Sequence, residues 1–132
     1  MFKSRAAFAT LACLFMAIVS GSVLSQPCSA AQAVRAVYTV DETRNFKELA
    51  QATIDAIDGN KEREMVAKIT DLETAWDAKE DTLKPRDPAT WTALDKTLDK
   101  GISAIRGSKV DLKAGKAALQ SLIQKLDQAT KK

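Results

Sequence analysis

From Phe46 to Leu126 the apolar side chains return every three or four positions, and only Gly59-Asn60, the stretch from Pro85 to Pro88 and Gly107 interrupt them. A period near 3.6 puts such side chains on one face of a helix, whereas a half-buried strand would alternate at every second residue. This part of the chain is therefore restricted to helices carrying one apolar stripe each. Stripes of that kind become stable only by facing one another around a shared core.

The first predicted helix spans 43–58, with Asp41 or Thr43 as N-cap and Phe46, Leu49, Ala50, Ile54 and Ile57 as its stripe. Gly59 stands at its C-terminal stop and Asn60 caps the next helix. The second spans 61–84, with Met65, Ile69, Leu72, Trp76 and Leu83 inward and the stem of Lys79 among them. Pro85 ends it, because the residue before a proline avoids helical backbone. Asp87-Pro88 restarts the chain as a capping carboxylate followed by proline at the first helical position. The third helix then spans 88–106, with Trp91, Leu94, Leu98, Ile102 and Ile105 inward. Gly101 costs about 1 kcal/mol relative to alanine inside such a helix, and close approach of a neighbouring helix accounts for it. The fourth spans 109–129, capped by Ser108, with Val110, Ala114, Ala118, Leu119, Leu122, Ile123 and Leu126 inward. The apolar segment 34–40 adds a turn to the first helix or covers a bundle end. Short links turn consecutive helices antiparallel, so the expected fold is all-α: an up-down-up-down four-helix bundle following an N-terminal signal peptide.

The leader reading rests on Lys3 and Arg5, the apolar run from Ala6 to Leu24, and Pro27 before the small residues Ser29, Ala30, Ala31 and Ala33. A basic start, an apolar middle and a small-residue exit are the parts of a secretory signal peptide. The expected leader is 1–33, cleaved after Ala31 or Ala33, and the expected single domain is 34–132. Retention of the run as an uncleaved membrane anchor is the competing reading, since its length approaches that of a span. The expected destination is the periplasm or the extracellular space.

Cleavage would remove both cysteines, Cys13 and Cys28, and the chain has no histidine. Ser-His-Asp and Cys-His catalysis then have no residues to use. Neither do the Glu-x-x-His di-iron motif and the preferred zinc ligands. No enzyme activity and no cofactor are expected. In length and shape alone the chain resembles the small secreted haem-binding four-helix cytochromes. Those hold haem through Met and His; here Met65 has no histidine to partner it, so the resemblance carries no function.

The remaining metal chemistry is carboxylate. Glu73, Asp77, Glu80 and Asp81 gather on the second predicted helix and Asp95 and Asp99 on the third, a set suited to a hard, oxygen-seeking cation. The alternative is a solvated face, because Lys79, Lys84, Lys96 and Lys100 are interleaved. Trp76 and Trp91 flank the turn between these helices and are expected in the core rather than in a ligand pocket.

The leader carries only Lys3 and Arg5, so 34–132 keeps 18 Lys and Arg against 17 Asp and Glu, a net charge of +1. Such a balance does not suit a nucleic-acid backbone. The last helix with its tail is basic, and Lys109, Lys113, Lys116 and Lys125 form a possible interaction face for an acidic partner, or else complement an acidic first helix. The expected function is a small exported, non-enzymatic protein-binding or accessory module, monomeric or homodimeric, acting on another protein. Membrane contact is expected only through a retained leader. A small-molecule or metal-ion carrier using the carboxylates is the first alternative. An extracytoplasmic chaperone or stress protein is the second, although the repeated Leu-Thr-x-x-Gln segments of a known class of periplasmic chaperones are absent.

Overall fold

The computed structural model describes residues 36–131. The leader, its cleavage points and both cysteines lie outside the described residues. Those described form an all-helical structure of five helices, with no strand among them: α1 (Val40–Asp58), α2 (Glu62–Asp77), α3 (Glu80–Leu83), α4 (Pro88–Arg106) and α5 (Leu112–Thr130). None of these helices is long and apolar enough to cross a membrane.

α1 begins earlier than expected, and its cap is neither Asp41 nor Thr43. Thr39 accepts a hydrogen bond from the Glu42 N–H, while the Glu42 carboxylate accepts one from the Thr39 N–H. This reciprocal capping box, with Asp41 and Glu42 at the positive end of the helix dipole, starts the helix at Val40. Thr43 lies inside it, fully buried, its hydroxyl donating to backbone carbonyls one turn back. At the far end, the Gly59 N–H donates to Asp55 O. Asn60 does not cap α2. It takes the left-handed conformation (φ 52°) that turns the chain, which asparagine tolerates better than most residues. Lys61 occupies the N-cap position of α2 without a side-chain cap.

The expected helix 61–84 is broken at Ala78-Lys79. In a straight helix Lys79 would fall on the apolar stripe, one turn after Trp76, and burying its ammonium would be costly. The break leaves Lys79 exposed, and the single turn of α3 still buries Leu83. α4 has the bounds expected of it. Asp87 accepts from the Thr90 N–H at 2.9 Å and Pro88 opens the first turn.

α5 starts at Leu112 rather than at 109, because the cap is Asp111, not Ser108: its carboxylate accepts from the Ala114 N–H at 2.9 Å. The buried stripe of α5 is Gly115, Leu119, Leu122, Leu126 and Ala129. Val110, expected inward, is 58% exposed, and Ala114 is exposed as well.

α1 packs against α2 on one side and α5 on the other, and α4 packs against α5. One apolar cluster joins all five helices, from Tyr38 to Ala129. The closest seam lies between α4 and α5 and runs over two glycines. A Cβ on Gly101 would sit 3.3 Å from Leu119 Cδ2; one on Gly115 would sit 2.9 Å from Ile105 Cγ1. Gly101 is therefore a packing glycine, as its place in the stripe implied. The two sites differ in how they should respond to alanine. Gly101 faces a terminal methyl that can give way, so Gly101→Ala should be near neutral or gain up to about 1 kcal/mol of helix propensity. Gly115 faces a mid-chain methylene of the β-branched Ile105 at a much shorter distance, so Gly115→Ala should lose about 1–3 kcal/mol to overpacking. Chemical denaturation of the two variants checks the contrast, and equal effects would refute it.

Candidate functional site

Trp76 and Trp91 are each 2% exposed and stack with ring centroids 4.0 Å apart and planes 16° from parallel. Phe46 of α1 meets Trp76 edge-on at 5.0 Å. The Trp76 Nε1–H donates to Asp95 Oδ1 at 2.9 Å, so the one polar atom of this ring is satisfied across the α2–α4 boundary. The pair belongs to the core, and offers no open aromatic pocket.

The six carboxylates do not assemble into one site. Glu73 is engaged by Arg106, whose guanidinium also donates to Thr70 Oγ1 at 3.1 Å. Asp95 accepts from Trp76, and Glu80 pairs with Lys84 one turn on. Asp77 and Asp81 are exposed. Among the described residues no three His, Cys, Asp or Glu stand close enough to hold a metal ion. A cation would have to displace Arg106 and the Trp76 indole to recruit Glu73 and Asp95. Asp99 retains a trace of the expected clustering. Its carboxyl is pushed above the ordinary aspartate range, first by desolvation and then by the charges of Asp95, Glu73 and Asp77.

The lysines expected to form one face are divided. Lys116 pairs with Asp58 at 2.6 Å and belongs to the α1–α5 contact, as do Lys47 and Asp127 at 2.9 Å. Lys125 turns toward α4 and donates to Thr97 Oγ1 at 2.6 Å. Lys109 precedes α5 in the loop after α4, and of the four only it and Lys113 are exposed. Complementation of acidic α1 by α5, one of the two expectations, has one direct ion pair, Lys116–Asp58.

Periodicity did not reveal the outer groove between α4 and α5. Thr97, Lys100, Ser103 and Ala104 line one wall, and Ala117, Ser121 and Lys125 are among those on the other. It encloses about 650 Å³, and no acidic residue lines it. Its sequence signal is the run of alanines and serines on the outward side of both helices. A second, smaller depression of about 270 Å³ lies between the α1–α2 turn and the loop before α5. Ile57, Met65 and Ile105 line it, together with the exposed Val66 and Val110.

Two measurements check this assignment. Trp76→Ala should cost about 3–5 kcal/mol of stability, the usual loss for a large buried ring; an unchanged melting temperature would place Trp76 outside the core. Desolvation and the neighbouring carboxylates raise the folded-state pKa of Asp99, so its charge opposes folding, and the opposition fades as pH falls through that pKa. Asp99→Asn should therefore raise the melting temperature at about pH 7 and give no gain at about pH 3. A gain that persists in acid would trace to something other than the charge.

Compared with protein-family models, with curated proteins and with solved structures, the chain matches none.

Proposed function

We propose that this protein is an exported, non-enzymatic binding module. Its four long helices form an up-down-up-down bundle that reaches the periplasm or the extracellular space when a leader of about 33 residues is removed. It docks an acidic surface of another protein along the outer α4–α5 groove. The basic start, apolar run and small-residue exit at residues 1–33 support export.

The observation that carries the docking reading is the composition of the groove. Its walls are small or cationic, and it lacks carboxylates in a chain with 17 of them. Alanine and serine walls let a partner's backbone come close, and Lys100 and Lys125 set the sign of the partner's charge. Lys113 stands one turn before Ala117 and extends the positive rim. Lys109 lies just ahead of α5, whereas Lys116 is spent on Asp58. A small-molecule carrier is the second reading. The apolar depression between Ile57, Met65 and Ile105 favours it more than the carboxylates do.

Native mass spectrometry of protein recovered from cells expressing the full chain tests export and cargo together. A mass beginning at Gln32 or Val34 is expected. A full-length mass would support a retained anchor, and added non-covalent mass would favour the carrier reading. For the groove, Lys100→Glu with Lys113→Glu should weaken binding of a copurifying acidic protein at least about tenfold, the loss of roughly 1.4 kcal/mol. Arg63→Glu on α2 should leave it unchanged. Equal loss in both variants would remove the groove from consideration.

A further inference from the structure

Residues 36–39 cross one end of the molecule as a non-helical strap, bent at Val37 and Tyr38, before α1 begins. Besides the buried Tyr38 ring, two kinds of polar contact hold it. The N–H groups of Val37 and Tyr38 both donate to Ala129 O at the end of α5, at 2.9 and 3.2 Å. Arg86, in the turn between α3 and α4, grips it from the other side. One guanidinium nitrogen donates to Val37 O at 2.6 Å, another donates to Glu42, and the plane lies over the Tyr38 ring with Cζ 5.6 Å from its centroid. Glu42 in turn accepts from the Thr39 N–H. Arg86 thus touches strap backbone, strap side chain and the cap that follows, and it is itself exposed.

A third group works in the opposite direction. Tyr38 is 2% exposed, and its hydroxyl is buried without a hydrogen-bond partner. Burying an unpaired hydroxyl is unfavourable, and moving the ring to water relieves it. The strap is consequently held by one exposed cation, two amides and the buried Tyr38 ring, and that ring carries a built-in penalty in its hydroxyl. It also covers part of the α4–α5 surface. Val37 walls a depression of about 350 Å³ lined further by Ala93, Leu94, Lys125 and Ala129, and Leu94 is only 1% exposed while the strap is in place.

We propose that residues 36–39 are a latched cover: Arg86 keeps them closed, and loss of its grip frees them as a unit while the helices stay folded, lengthening the α4–α5 groove toward Leu94 and Ala129. The latch stands whether or not that groove binds a partner. Local opening of a short segment, below the free energy of global unfolding, is a general property of folded domains.

Amide hydrogen exchange on protein recovered from cells expressing the full chain tests it. Arg86→Met keeps the aliphatic stem and removes the guanidinium. It should speed exchange at Val37 and Tyr38 at least about tenfold and leave Leu98 of α4 and Leu122 of α5 within about twofold. Tyr38→Phe removes the unpaired hydroxyl and should slow exchange at residue 37. The chain has a single tyrosine, so 3-fluorotyrosine gives one fluorine resonance. That resonance should move toward its solvent-exposed position in Arg86→Met while helical circular dichroism is unchanged. Unaltered exchange at Val37 and Tyr38 in Arg86→Met would overturn the proposal. So would parallel acceleration at Leu98 and Leu122, because the strap would then open only with the whole fold.

Discussion

α2 and α4 meet over a short stretch, and the stacked rings of Trp76 and Trp91 are the buried contact that joins them, with Arg106 linking to Glu73 and Thr70 further along. Phe46 brings α1 into the same contact, and Asp95 satisfies the Trp76 indole from α4. Three helices thus converge on one aromatic group near the α2–α4 connection. The described residues include no cysteine, so covalent cross-linking contributes nothing to this core. Stacked and edge-on aromatic contacts favour particular ring geometries, so this group fixes orientation as well as burying apolar area. The break at Ala78-Lys79 follows from the same arrangement. Once Trp76 is seated, the chain must take Lys79 outward before Leu83 can return to the core, and that detour delivers Arg86 to the strap.

Electrostatics reinforces the packing without driving it. α1 carries five acids against two bases, while α5 carries three lysines against one aspartate. Lys116–Asp58 draws on that difference where the two helices face each other, and Lys47–Asp127 adds a pair of the opposite sense. Each such partly exposed pair is worth no more than about 1 kcal/mol. Their larger effect is on register, since both pairs are satisfied only when α1 and α5 are aligned along their length. Lys116–Asp58 also consumes positive charge on the α1 side of α5, while Lys125 turns toward α4.

Much of the helical pattern was legible in the sequence because its punctuation is strong. Asp87-Pro88 and Gly107 bracket α4 with a cap, a proline and a stop, and its bounds follow directly. The misreadings share a different cause. Thr39 lies before the apolar stripe begins, so a cap sought beside the stripe falls on Asp41 or Thr43. The Ala78-Lys79 break has no glycine or proline, and its only mark is a lysine on an apolar face. Val110 looks like a stripe residue until Asp111 is recognised as the cap. Side-chain partners were less legible still. Glu73 is claimed by Arg106 and Lys116 by Asp58, and neither pairing leaves a trace in local spacing. The carboxylate cluster dissolved for that reason, and the α4–α5 groove emerged from residues whose small size carries no periodic signal.

The hydrogen bonds from Val37 and Tyr38 to Ala129 bring the two ends of the described helical unit into direct contact. Topologically the unit is almost a ring, opened at one point. A linker of only a few residues between those ends would close it, and new termini could then be cut at the exposed loop between α4 and α5 or the turn between α1 and α2, where little packing would be interrupted. The order in which the helices are synthesised is thus separable from the architecture they make. The same geometry means that anything fused after α5 emerges beside the strap, at the end of the molecule where the preceding chain enters.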